Sequence, residues 1–171
     1  MLELLILNSI SERSLTLYGI KKYITENFGI FSVPSLGAIH PAIQKFEKNG
    51  LLTIAKNMSD GGKKTLHHLI TDEGKKYFVE LFTNIKSTVP TKISTEIKIK
   101  IVILQNIKEI KQKETFFENA ITKIEENIYD IKNFISNHQN GYLETSASIF
   151  LKEFADLKYH LELLKKEELA K

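Results

Sequence analysis

The chain has 171 residues, 42% of them hydrophobic and 26% charged, with 24 basic against 21 acidic side chains and neither cysteine nor tryptophan. That is one domain or two small ones with the composition of a folded soluble protein, and the lack of cysteine excludes disulfide frameworks, thiolate catalysis and cysteine zinc sites and fits a reducing cytoplasm. No run reaches the roughly 18 apolar residues of a membrane span, and a formal charge of +3, spread over both halves, marks neither half as polyanion-binding by total charge.

Met1–Ile10 is apolar but lacks the basic start and small-residue cleavage site of a signal peptide. Leu2–Ile10 reads as a short helix. Thr16 is placed to cap a second, Leu17–Phe28, with Gly29 expected as its left-handed stop. Ile20, Tyr23, Ile24 and Phe28 recur at helical spacing and are expected in the core. Ser35 caps a third helix that stops at Gly50. Its apolar stripe is Ile39, Ala42, Ile43 and Phe46, and its other face carries His40, Gln44, Lys45 and Lys48.

The period then changes. Leu51–Met58 and Lys63–Ile70 read as strands around the turn Ser59-Asp60-Gly61-Gly62. A two-stranded hairpin is marginal alone, so Leu52, Ile54 and Leu66 are expected to pack it on the helices. Thr71 caps a fourth helix. Three helices, a hairpin and a helix make a winged helix-turn-helix.

From residue 92 onward there is one glycine, Gly141, and no proline. Helices are predicted over Ser94–Leu104, Ile107–Ile135 and about Thr145–Leu169. The second carries Phe117, Ile121, Ile124, Ile128 and Ile131, and the third Phe150, Phe154, Leu157 and Leu161, at coiled-coil spacing. The two stripes can pair with each other or with a second chain. Much of this surface is expected to be intermolecular, and these nine residues are the candidate dimerisation set. The fold class is mainly α, as a winged helix-turn-helix over 1–86, a linker over 87–94 around Pro90, and a helical dimerisation and effector domain over 95–171.

Ser35, Gly37, Ile39, His40, Pro41, Ala42, Ile43, Phe46, Glu47, Gly50, Leu51 and Leu52 stand where the PadR family of bacterial transcriptional regulators shows Ser-x-Gly-x-Ile-Tyr-Pro-Ala-Leu-x-x-Leu-Glu-x-x-Gly-Leu-Ile. Gly62, Lys63, Lys64, Thr65, Leu66, His67, His68, Leu69, Ile70, Thr71 and Gly74 align without gaps with the family's wing. The first half therefore resembles that family, named for the phenolic-acid-decarboxylase repressor; the second half is similar only in layout. The chain departs from the pattern at Leu17, which replaces a glycine, at His40, His67 and His68, which replace tyrosines, and in a wing that keeps two lysines where the family has proline and arginines.

The resemblance implies a homodimeric, cytoplasmic regulator, a repressor that reads a pseudo-palindromic operator in double-stranded DNA. The implied contacts are Tyr18, Ser35, Leu36, Gly37, Ala38, His40 and Lys45 on the helices and Lys63, Lys64 and Thr65 on the wing. Arg13, the single arginine, has no assigned role, which leaves little guanine readout through guanidinium. It also implies a small apolar effector, for which Phe116, Phe117, Tyr129, Phe134, Phe150, Phe154 and Tyr159 are available as walls. One of His67 and His68 is expected to take the core or DNA-facing place of a tyrosine. Scattered histidines, no nucleophile motif and no phosphate loop point to no metal, no cofactor and no catalysis. The alternative is a winged-helix protein-interaction module without sequence-specific DNA binding, favoured by the near-neutral charge.

Overall fold

The computed structural model describes residues 1–58, 64–138 and 141–170. It divides into two compact units, Met1–Phe82 and Thr83–Lys171. The order is α1 (Leu2–Ser9), α2 (Leu17–Phe28), α3 (Leu36–Lys48), β1 (Leu52–Met58), β2 (Lys64–Ile70), α4 (Asp72–Thr83), α5 (Pro90–Ile103), a 3₁₀ turn (Leu104–Asn106), α6 (Ile110–Ser136) and α7 (Gly141–Leu169).

In the first unit the helix ends follow local chemistry. Thr16 accepts a bond from the Gly19 amide at 3.1 Å and caps α2; such a cap contributes about 1 kcal/mol. Gly29 does not stop α2 in the left-handed region as expected: its φ is −58°, and the chain runs on through a turn in which the Phe31 and Ser32 amides donate to the Phe28 carbonyl. The left-handed residue is Gly50, at φ 71°. The Leu51 amide donates to Phe46 and the Gly50 amide to Glu47, a Schellman closure of α3 that turns the chain directly into β1. Ile20, Ile24, Phe28, Ile39, Ile43 and Phe46 are buried, as the 3.6-residue period requires. α1 is apolar almost all round and buried from Leu4 to Ser9.

β1 and β2 pair antiparallel in the register Leu52↔Ile70, Ile54↔His68 and Lys56↔Leu66. A third short segment joins them, because Leu15 exchanges both backbone bonds with His68, at 2.8 and 3.3 Å. This clasp ties the hairpin to the segment that precedes α2. Leu52 is buried as expected, but Ile54 and Leu66 are 45% and 50% exposed, since they face an open groove rather than the helical core. Thr71 caps α4 through the Gly74 amide and also donates to the Gly50 carbonyl at 2.7 Å. Gly74 packs against the Leu51 carbonyl so closely that a Cβ there would lie 2.2 Å from the oxygen.

In the second unit Pro90 occupies the first turn of α5, where its missing N–H costs nothing. The helix therefore starts at Pro90 rather than Ser94. α6 begins at Ile110 rather than Ile107, because Ile107 and Glu109 are extended. α6 and α7 pack on each other as a hairpin. Phe117, Ile124, Phe154, Leu157 and Leu161 of the candidate dimerisation set are thereby buried within the single chain, while Ile121, Ile128, Ile131 and Phe150 are half-buried. On α5, Lys100 is wholly buried and donates to Glu96 at 2.7 Å and to the Asn84 carbonyl. Glu96 also accepts from the amides of Lys86 and Ser87, so one buried ion pair ties residues 84–87 to the helix.

Candidate nucleic-acid interface

Gly37, His40, Pro41, Gln44 and Lys48 are all exposed and fall on one stripe of α3, opposite its buried positions. Ser35 accepts from the Ala38 amide at 3.2 Å. Its hydroxyl proton remains free to donate outward, so capping and phosphate contact are compatible. Leu36 and Ala38 are exposed beside it. Pro41 lacks the N–H that would otherwise close on the Gly37 carbonyl, leaving that acceptor available on the exposed stripe.

A groove of about 480 Å³ runs beside this stripe. Thr16, Leu17 and Tyr18 form one wall, His40, Ile43, Gln44 and Glu47 another, and Ile54, Thr65, Leu66 and His68 of the wing a third. Tyr18, 68% exposed, stands at the rim. Lys56 and Lys64 are exposed and share a hairpin face with Ile54 and Leu66, by strand alternation. Thr65 alternates to the other face but borders the groove. Lys63 lies outside the described residues.

Lys45 is the residue the structure draws away from this set. It is exposed, but one position beyond Gln44 turns it about 100° around the helix. Its ammonium bonds Glu3 on α1 at 2.8 Å, and Glu3 accepts a second bond from the Tyr77 hydroxyl at 2.9 Å. Burial works against charge on Glu3, but the bonds from Lys45 and Tyr77 outweigh it and hold the carboxyl below its usual range. Burial, together with the bond to Glu3, pushes the Tyr77 phenol up to about 12.

The two wing histidines divide as alternation requires. His67 lies 3.4 Å from the Ser14 hydroxyl. His68 is buried at the groove floor, its Nδ1 3.2 Å from Glu47 Oε1. That contact is close but misaligned, and leaves Nδ1 without a hydrogen bond. Burial lowers the His68 pKa, against an opposing pull from Glu47. Among the described residues no cluster of three or more metal-ligating side chains occurs, and no helix is long and apolar enough to cross a membrane. Gln44 was absent from the contacts the resemblance implied; its signal was its place on the polar face of α3.

The second unit holds its own cavity, about 420 Å³, lined by Ile131, Phe134, Leu143, Ala147 and Phe150, with Asn127, Asp130 and Ser146 as polar groups. Of the aromatic walls named above, it uses Phe134 and Phe150. Phe116, Phe117 and Phe154 are core, and Tyr129 and Tyr159 are exposed.

Three helices with a hairpin clasped back onto them, and an exposed polar stripe on the third, define a winged helix-turn-helix protein. Residues 6–80 match the Transcriptional regulator PadR-like family, and the N-terminal unit is a PadR-like winged helix. Among solved structures, Bacillus subtilis PadR in complex with operator DNA is 16% identical, with 98% of each chain covered and a TM-score of 0.48. A PadR-like transcriptional regulator from Bacillus cereus strain ATCC 14579 is 28% identical over 46% of this chain and 75% of its own, with a TM-score of 0.41. The smu.1604c protein of Streptococcus mutans UA159 is 21% identical over 99% and 98%, with a TM-score of 0.43. No curated protein matches the chain.

Proposed function

We propose that this chain is a homodimeric DNA-binding transcriptional regulator, a repressor in the cytoplasm whose hold on a pseudo-palindromic operator is modulated by a small apolar effector. The observation that carries the reading is the exposed stripe Gly37–His40–Gln44–Lys48 beside a wing bearing Lys56 and Lys64, in a unit matching a family of transcriptional regulators. Helix α3 would enter the major groove, with Ser35 and the amides of its first turn on a phosphate. Tyr18, Lys63 and Lys64 would reach the flanking backbone. With a single arginine, binding rests on lysine contacts to phosphate rather than on guanine readout, which implies modest affinity and strong salt dependence.

Dimerisation is supported by Tyr142, Ile149 and Leu163, exposed apolar residues at heptad-related positions on one face of α7. Two copies would present recognition helices about 34 Å apart, or a multiple of that, to two half-sites. The effector reading is supported by the apolar cavity at Phe134 and Phe150. An effector would release DNA only through different affinities for two dimer geometries.

The test is salt-titrated binding to the chain's own upstream DNA against a scrambled control. Specific binding by a dimer, weakened and made less salt-dependent in Lys63→Ala with Lys64→Ala, is the expected result. Equal, weak binding to both DNAs that vanishes with modest salt would overturn it. A second reading, a protein-interaction module, is favoured by the exposed Ile54 and Leu66 in the groove, and that same outcome would support it.

A further inference from the structure

Resting on the DNA-reading function, we propose that Gln44 is the side chain that selects a base, and that the base is adenine. The stripe facing outward from α3 offers few groups able to read a base edge. Gly37 has no side chain, Pro41 has no donor, His40 can turn only one ring nitrogen to a base edge at a time, and Lys48 is the last residue of α3, one turn beyond Gln44. Gln44 is exposed on that stripe and lines the groove shared with the wing. Its amide presents one donor and one acceptor side by side. That is the complement of the adenine N7 acceptor and N6 amino donor in the major groove.

The competing contact is guanine with an arginine fork or a lysine ammonium, and the lysine on the stripe, Lys48, stands at the very end of α3. The single arginine, Arg13, is not among the groove residues; its guanidinium sits over the Tyr23 ring at 5.7 Å. Leu36 and Ala38, exposed on the first turn, are suited to thymine methyl groups rather than to polar base edges. His40 lies one turn before Gln44, a rise of roughly 6 Å, so the two side chains span about two base-pair steps. The half-site is therefore an A·T-containing step read by Gln44, with thymine methyls against Leu36 and Ala38.

Selection from a random double-stranded DNA library with the full chain tests this. The wild-type protein is expected to enrich sites with adenine at one fixed position in each half-site. Gln44→Ala should lose preference at that position alone and bind the selected site roughly tenfold more weakly. Gln44→Arg should move the preference to guanine at the same position. An exposed side chain makes misfolding a minor concern, and matching unfolding midpoints for the three proteins would check it. If Gln44→Ala keeps the same preference at every position, or Gln44→Arg changes none, the assignment of Gln44 is overturned while DNA reading stands. If the wild-type protein enriches no sequence, the proposed function itself fails, and this inference with it.

Discussion

His68 on β2 and Glu47 on α3 face each other across the floor of the interface groove, Nδ1 to Oε1 at 3.2 Å. They join the wing to the recognition helix by a contact whose strength depends on a proton. Burial lowers the His68 pKa below its ordinary 6.5, Glu47 pulls the other way, and His67 and His40 add to the lowering. The folded state then binds fewer protons than the unfolded one. This contribution to stability is full above about pH 6.5 and is lost as pH falls through the lower folded value. Chemical denaturation of the wild-type protein should show weakening between pH 7.5 and 5.5, both roughly bracketing that value, and His68→Phe should flatten the slope. An unchanged slope in the variant would place the titration elsewhere.

The Glu3 carboxylate holds Lys45 and Tyr77 together from α1. A phenol raised to about 12 favours its protonated form in the fold, so this interaction persists below the unfolded pKa and is lost as pH rises through about 12. In Glu3→Gln the Tyr77 step should move down towards 10.0, its ordinary value, in a spectrophotometric tyrosinate titration. The same variant frees Lys45, so its non-specific DNA binding should strengthen with a steeper salt slope.

Lys100 and Glu96 form a buried pair, the ammonium donating to the carboxylate. Lys100→Ala would leave a buried carboxylate uncompensated and should cost about 3–5 kcal/mol in urea unfolding. Lys100→Met combined with Glu96→Gln should recover much of that loss, because neither charge then remains buried. A double variant as unstable as the single one would show that packing, not charge, dominates there.

Phe154 is buried inside the single chain. Phe154→Ala should lower stability by about 3–5 kcal/mol, without selective loss of the proposed dimer. Ile149→Glu, on the exposed α7 face, should abolish the proposed dimer at little cost to folding. Light scattering after size exclusion, paired with denaturation, separates the two outcomes.

Much of the first unit was legible in the residues because its determinants are local. The caps at Thr16, Ser35 and Thr71, the stop at Gly50 and the change from a 3.6 to a 2-residue period depend on neighbours in the chain. They place α2, α3 and the hairpin within a residue or two. The opposite facing of His67 and His68 follows equally from strand alternation. Three features required the tertiary structure. Lys45 sits about 100° around α3 from Gln44 by helix geometry, and only the tertiary structure brings Glu3, 42 positions away, to hold its ammonium there. Ile54 and Leu66 alternate like core residues, and only their place on the walls of an open groove leaves them exposed. The α6 and α7 stripes had two equivalent partners in the sequence, since heptad spacing specifies an apolar seam and not whose helix covers it. Closure of the hairpin within one chain decided that Phe117, Ile124, Phe154, Leu157 and Leu161 are core.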